Sequence, residues 1–282
     1  MTTSNTLKTV ALLGLLSALL ILGGQALAGR NGMYLGLAFA VLMNFGSYFF
    51  SEKIALASYN AQPVTPSENA GVYQRVQPIV ARLAHRMELP MPKLWLIPEE
   101  SPNAFATGRN PSHSSIAFTS GILQLMDDRE LEGVIAHELG HVLNRDILTS
   151  SIAATIAAAI TQLSYMAMFF GGRRDEEDRG GGLGALFMLI LGPIAATLIQ
   201  LAISRTREYS ADATSAKYTG APDELIAGLR KLDTWSQRIP MDASPATAHM
   251  FIVKPFTGDM MMKLFSTHPS TADRIARLQA MR

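Results

Sequence analysis

The residues best suited to chemistry are two histidines and a glutamate in the segment His137-Glu138-Leu139-Gly140-His141. Positions four apart on a helix lie on the same face, so both imidazoles can bind one zinc ion. Zinc lowers the pKa of water that it binds, and the carboxylate of Glu138 can take the proton during attack. The alternative is a structural pair of histidines around an acid. That alternative gives no clear reason for the presence of an acidic residue, Glu138, between apolar Ile135 and Leu139.

A catalytic zinc usually has three protein ligands and one open position, so a third ligand must come from elsewhere. The strongest candidate is Glu208, with Asp212 one helical turn further along the same face. Asp212 could accept a hydrogen bond from a ligand imidazole. From spacing alone, the alternative is that the two carboxylates form a solvated acidic face paired with Arg205 and Arg207. The remaining histidines are His85, His113, His249 and His268.

The composition narrows the class of protein. Charged residues make up 17% of the 282 residues and hydrophobic residues 48%, so the chain has enough apolar surface to fold. The net charge of +1 argues against a nucleic-acid binder with a broad basic face. There are 0 cysteines, which excludes disulfide scaffolds, thiolate metal sites and cysteine nucleophiles.

The low charge is concentrated in four long stretches that carry no Asp, Glu, Lys or Arg. Each is long enough for a helix that crosses a bilayer, and we expect transmembrane helices at 7–29, 31–51, 147–172 and 180–204. Four buried core helices are the alternative, but core helices seldom avoid charge for so long. The first stretch could also be a cleaved signal peptide, although the second follows at once, as in a tight hairpin. The third is rich in Ser and Thr and could lie partly outside lipid.

Two helical hairpins return the chain to the same side of the membrane each time. The polar segments 52–146 and 205–282 should therefore form one catalytic domain, in two parts. Glu208 directly follows the fourth apolar stretch, and the histidine pair directly precedes the third, so the second hairpin can bring these residues together. The Lys and Arg bias near the spans modestly favours a cytoplasmic domain.

Within the polar segments the pattern predicts a helix at 65–89, a strand at 93–97 and a hairpin of strands at 103–107 and 114–119. The histidine pair lies in a predicted helix at 125–144, with Asp127 or Asp128 as its N-cap. We therefore expect a mainly α protein with a small antiparallel β-sheet.

Several motifs occur in a fixed order: Asn103-Ala104-Phe105-Ala106-Thr107-Gly108, the H-E-x-x-H helix, two apolar spans, Glu208-x-x-x-Asp212, and Ser266-Thr267-His268-Pro269-Ser270. In this order they resemble the HtpX-type integral-membrane zinc metalloproteases, relatives of the CAAX prenyl proteases and of small soluble gluzincins. The resemblance covers essentially the whole chain. It implies four transmembrane helices and a zincin-like (minigluzincin) catalytic domain.

The resemblance also implies roles for single residues. One Zn²⁺ per chain would be bound by His137, His141 and Glu208, with Glu138 as the general base. His268 would donate a hydrogen bond to the oxyanion, and Arg274 would support that region.

Substrate contacts follow from the same resemblance. Asn103, Ala104 and Phe105 would lie on an edge strand that pairs with an extended substrate backbone.

The function implied is that of a zinc endopeptidase in the bacterial inner membrane, with its catalytic domain facing the cytoplasm. Its expected partners are the lipid bilayer, unfolded or damaged membrane proteins as substrates, and other quality-control proteases, but no nucleic acid. One alternative is a CAAX-type prenyl-protein peptidase, although four spans look too few for the enclosed chamber of such enzymes. The other is a non-catalytic membrane scaffold, in which a structural zinc would have four protein ligands and no open position.

Overall fold

The structure is a computed structural model that describes residues 3–153, 156, 205–236 and 269–282. The predicted span at 180–204 and most of the span at 147–172 lie outside these residues. Where the third span was predicted to begin, residues 147–153 are helical.

The first element, α1 (Thr3–Ser58), is a helical hairpin. Asn44 Nδ2 donates a hydrogen bond to Ser17 Oγ at 2.9 Å, although a straight helix would separate these residues by about 40 Å. The chain turns at Gly29, whose φ of 57° lies in the left-handed region. The two arms are in close contact, because a Cβ at Gly24 would lie 2.2 Å from a carbonyl oxygen of the opposite arm.

The second arm of α1, Gly29–Ser58, is long and apolar enough to cross a membrane. Only 17% of its most apolar window is buried, so most of its apolar surface faces outward. A shorter apolar helix, Leu7–Leu22, forms the first arm. Within the described part of the chain, Gly29–Ser58 is the one helix that is long and apolar enough to cross a membrane. The four predicted spans stay a prediction.

Short helices and strands make up the rest of the described chain, and helices predominate, as predicted. In chain order they are β1 (Gln62–Pro63), α2 (Ala70–Arg86), β2 (Lys93–Ile97), β3 (Ala104–Asn110), β4 (His113–Thr119), α3 (Ser120–Leu125), α4 (Asp128–Leu143), α5 (Arg205–Thr219), α6 (Pro222–Ser236) and α7 (Thr271–Gln279).

The sheet is mixed, so the prediction of an antiparallel sheet was wrong. Its strand order is β1-β2-β4-β3, with β2 parallel to β4 and the other two pairs antiparallel. The difference arises because the connection from β2 to β3 crosses the end of β4 and leaves room for β4 between them. At the crossing, Gly121 N donates to Glu99 O at 3.0 Å. A Cβ at Gly121 would lie 1.9 Å from the Glu100 carbonyl oxygen, so only glycine fits there.

The two faces of the sheet contact different parts of the molecule. Ala106 and Phe118 face the main core, which α2 and α4 also line. Phe105 and Ala117 face the end of α1, where the Phe105 and Tyr59 rings lie 5.8 Å apart. The sheet therefore lies between the apolar hairpin and the helix that carries the histidine pair.

Helix α4 is held at its beginning by a capping box. Asp127 Oδ1 accepts from Glu130 N, and Glu130 Oε2 accepts from Asp127 N, both at 3.0 Å. This confirms Asp127 as the N-cap. Further along, a Cβ at Gly140 would lie 3.2 Å from the Ala211 Cα, so the glycine of the motif allows α5 to approach α4 closely.

Candidate metal centre

Three side chains converge where α5 crosses α4. His137 Nε2 lies 3.7 Å from Glu208 Oε2, and His141 Nε2 lies 3.6 Å from Glu208 Oε1. One donor atom from each of the three lies within 4.8 Å of the others. Two ligands at about 2.1 Å from a tetrahedral ion are about 3.4 Å apart, so a small inward movement would let all three bind one zinc ion.

The helix contacts explain why the third donor reaches the pair. Ser215 Oγ donates to Gly133 O at 2.8 Å, and this bond, with the close approach at Gly140, fixes α5 against α4. Glu208 lies in the first turn of α5 and is 7% exposed. It is therefore not part of a solvated acidic face, which was the alternative interpretation.

His137 is oriented by a buried ion pair. Its Nδ1 lies 2.9 Å from Asp212 Oδ1, which leaves Nε2 facing Glu208. Arg274 binds both oxygens of Asp212, through Nη2 to Oδ1 at 2.6 Å and through Nε to Oδ2 at 2.9 Å. Arg274 Nη1 also lies 3.8 Å from Glu208 Oε2. Asp212 is thus in position to fix the ring of a ligand histidine, as second-sphere carboxylates do in zinc sites.

The charges around His137 favour its protonated form when no metal is bound. Burial and the nearby Arg274 would both lower the pKa of His137, but hydrogen bonds to Asp212 and Glu208 outweigh them and raise it to about 9. Desolvation also acts on Asp212, yet Arg274 and His137 hold the pKa of its carboxyl below the usual range. A zinc ion at this position would therefore have to displace a proton from His137.

Glu138 lies beside the three donors without being one of them. It is 4% exposed, and its Oε2 accepts a hydrogen bond from Ala106 N at 2.8 Å. Burial raises the pKa of the Glu138 carboxyl, against the opposing charges of His137 and His141. A buried carboxyl with a raised pKa next to a metal site is suited to accept and return a proton.

The predicted substrate strand is an edge strand of the sheet, since β3 pairs only with β4 among the described strands. Asn103 O accepts from Thr119 N at 2.9 Å, so the backbone of Asn103 is directed towards β4. By alternation, Ala104 and Ala106 direct their backbone groups outward, while Phe105 pairs with β4. The outward N–H of Ala106 is the one that binds Glu138. The edge of β3 therefore leads directly to the candidate base.

Ser151 covers the edge of β3 at Thr107 and Gly108. Ser151 Oγ accepts from Gly108 N at 3.3 Å and lies 2.8 Å from Thr107 Oγ1. The helical segment 147–153 therefore covers β3 beyond Thr107. Among the predicted site residues, only His268 lies outside the described part of the chain.

Sequence reasoning missed Asp146. Its Oδ2 lies 3.4 Å from His141 Nδ1, and its Oδ1 lies 3.3 Å from Arg207 Nε. The sequence does contain a signal, a carboxylate five residues after a ligand histidine. This spacing brings the carboxylate to the histidine only if the chain turns back where the helix ends, and the sequence does not predict that turn.

The chemistry of the donor set fits zinc. Two imidazole nitrogens and one carboxylate are a usual set for a catalytic zinc, and both histidines have a carboxylate at Nδ1. A zinc ion held by these three donors would keep a fourth position for water. A buried centre of this kind, beside a proton-accepting glutamate and an edge strand, defines a metallopeptidase.

The comparisons give the family. The model of peptidase family M48 matches residues 72–282, and the chain belongs to that family. It is 53% identical to the "Protease HtpX homolog" of Thermodesulfovibrio yellowstonii, over 98% of each chain. It is 50% identical to that of Desulforapulum autotrophicum, over 98% of this chain and 89% of the relative. The family and these protease relatives show that the protein is a metalloprotease.

One solved structure shares the fold. The crystal structure of S. mikatae Ste24p matches 97% of this chain with a TM-score of 0.52, at 19% identity. This chain spans 64% of the length of that protein. The likeness supports the arrangement of the helices and the sheet.

Proposed function

We propose that the protein is a membrane-embedded, zinc-dependent endopeptidase that hydrolyses peptide bonds with activated water. The observation that carries the proposal is the convergence of His137, His141 and Glu208, with Glu138 beside them and held to the edge of β3. A structural zinc would need a fourth protein ligand. Among the described residues, the metal-binding group contains only three.

The division of labour follows from the positions of the side chains. His137, His141 and Glu208 would hold a zinc ion, which supplies an open position for water and polarises the scissile carbonyl. Glu138 takes the proton of the attacking water and passes it to the leaving amine. Asp212 keeps the Nε2 of His137 directed at the metal position.

The substrate is an extended polypeptide that adds to the sheet at β3. Backbone groups of Ala104 and Ala106 point outward there, so recognition depends on main-chain hydrogen bonds more than on side-chain identity. Because Glu138 binds at Ala106, the scissile bond lies beside that residue. Broad specificity of this kind suits a protease that removes damaged or misfolded proteins.

The location we propose is the bacterial inner membrane, with several spans and the catalytic domain on the cytoplasmic side. The apolar arm Gly29–Ser58 supports membrane insertion, and the Lys and Arg bias supports the orientation. Damaged or unfolded membrane proteins are the proposed substrates, together with partner proteases that act on the same pool. His268 and Arg274 keep their proposed roles near the oxyanion.

The test is the proteolytic rate of the full chain in detergent on a casein-like substrate. Glu138→Ala should lower the rate by about 10²- to 10⁴-fold, the usual contribution of a general base, with one zinc still bound per chain. Glu132→Gln changes another glutamate of α4, which pairs with Arg82 at 2.7 Å, and should leave the rate unchanged. Proteolysis by Glu138→Ala at the wild-type rate would sink the mechanism.

Two further outcomes decide between functions. Cleavage of prenylated peptides alone, with unmodified membrane proteins left intact, would point to a prenyl-protein peptidase. Full retention of activity after zinc removal, or loss of the fold with the zinc, would contradict a catalytic metal.

A further inference from the structure

Helix α4 ends in a Schellman motif that returns the chain over His141. Asp146 N donates to His141 O at 2.9 Å, and Arg145 N donates to Val142 O at 3.1 Å. Arg145 adopts a left-handed conformation, with φ 59°. Glycine is the usual residue at this position of a Schellman motif. The motif fixes the backbone of Asp146 directly beside the second histidine of the metal centre.

The side chain of Asp146 reaches the ring of that histidine. Asp146 is 2% exposed, and its Oδ2 lies 3.4 Å from His141 Nδ1. The other ring nitrogen, Nε2, lies 3.6 Å from Glu208 Oε1, on the metal side. A carboxylate at Nδ1 keeps that nitrogen protonated and leaves Nε2 as the donor to a metal. Asp212 has the same relation to His137, at 2.9 Å.

Arg207 fixes Asp146 from a different helix. Its Nε lies 3.3 Å from Asp146 Oδ1, and its Nη2 donates to Asp146 O at 3.1 Å and to Ser150 Oγ at 2.6 Å. Arg207 directly precedes Glu208 at the beginning of α5. The guanidinium of Arg207 thus contacts the end of α4 and the helical segment 147–153 that follows it. Arg207 itself belongs to α5, the helix that carries Glu208.

We propose that Asp146 is a positioning residue for the metal centre, which orients His141 and is itself held by Arg207. The inference rests on the zinc site of the proposed function, and it adds a residue that the motifs of the sequence did not single out. Asp146 is buried beside His141. It acts through the ring of His141, and Arg207 couples that ring to the position of Glu208.

The experiment measures zinc affinity of the full chain in detergent, by competition with a chelator. Asp146→Ala should raise the zinc dissociation constant about 10- to 100-fold, the usual effect of losing the partner of a ligand histidine. Asp146→Asn keeps a neutral acceptor at the same place but loses the charge, so it should weaken zinc binding less than Asp146→Ala, by about three- to tenfold relative to wild type. In cobalt-substituted protein, the visible absorption of Asp146→Ala should change, because its bands report ligand geometry.

The matched control is Ser210→Ala. It removes the hydroxyl that accepts from Asn144 Nδ2 at 3.2 Å between the end of α4 and α5, but it leaves the contacts of Asp146 with His141 and Arg207 in place, so zinc affinity should stay within about threefold of wild type. Melting of the metal-free proteins separates the two roles. A purely structural Asp146 would lower the melting temperature of the metal-free protein without changing the cobalt spectrum.

Each remaining outcome decides the question. Zinc affinity of Asp146→Ala within threefold of wild type, with an unchanged cobalt spectrum, would overturn the inference. If Asp146→Ala does not fold, Asp146→Asn decides. Weaker zinc binding with normal metal-free melting supports the inference, and wild-type affinity contradicts it. Absence of zinc binding by the wild type would instead refute the proposed function.

Discussion

Removing the carboxylate of Asp212 should both destabilise the fold and weaken metal binding. Asp212 is 1% exposed and is bound twice by Arg274, at 2.6 and 2.9 Å. Deletion of one partner of a buried pair costs about 3–5 kcal/mol. Without Asp212, Arg274 would keep only the longer contact with Glu208 Oε2, at 3.8 Å. One kcal/mol corresponds to about 2–4 °C for a domain of 150–250 residues. Asp212→Ala should therefore lower the Tm of the zinc-free protein by roughly 6–20 °C.

A second variant separates stability from metal binding. Arg274→Met should lower the Tm by a similar amount, because Asp212 then loses both hydrogen bonds from the guanidinium. Zinc affinity should fall about 10- to 100-fold in Asp212→Ala but much less in Arg274→Met. Asp212 can accept a hydrogen bond from His137 Nδ1 at 2.9 Å, whereas the guanidinium of Arg274, 3.3 Å from that nitrogen, cannot. Zinc affinities are measured by chelator competition, and melting is followed in detergent by tryptophan fluorescence.

An exposed ion pair provides the control for this prediction. Asp223 pairs with Arg282, and both side chains are more than half exposed. Asp223→Ala should change the Tm by no more than about 2 °C, because exposed pairs contribute little. A Tm for Asp212→Ala within the same range would refute the idea that the buried pair supports the centre.

Three further results are expected. Because the pKa of His137 is raised to about 9 in the metal-free protein, zinc affinity should fall at least about tenfold for each pH unit from 8 to 6, as chelator competition will show. By the same shift, protonated His137 stabilises the metal-free protein fully below about pH 6.5, and its Tm should decline as the pH rises through 9. For substrate pairing at β3, N-methylation of a peptide amide beside the scissile bond should lower kcat/KM about tenfold or more, measured against the unmethylated peptide. Equal cleavage of both peptides would contradict strand addition.

The sequence alone predicted those features that depend on local spacing. The H-E-x-x-H pair lies on one helical face, Asp127 caps that helix, and the hairpin of β3 and β4 forms where the turn residues indicated. Each of these depends on residues close together in the chain. Glu208 depended on the argument that a membrane hairpin returns the chain to its starting level.

The features that sequence reasoning missed depend on how the backbone of one segment packs against another segment. The mixed sheet results from a short connection that passes over β4 at Gly121, and no local pattern encodes that crossing. Asp146 was missed because the chain comes back to His141 only if the residue before Asp146 is left-handed. Glycine usually indicates such a residue at a helix end, but here the residue is Arg145. In both cases the cause is a backbone arrangement that tertiary contacts impose and that no local sequence pattern indicates.

The buried charges suggest how metal and base are coupled. In the metal-free centre, protonated His137 and Arg274 balance Glu208 and Asp212, and burial favours a neutral Glu138, whose carboxyl pKa is raised. A bound zinc ion would bring two positive charges and displace the proton of His137, which would leave these groups with one positive charge in excess. An ionised Glu138 would remove that excess. Metal binding would therefore favour the ionised form that the proposed base needs.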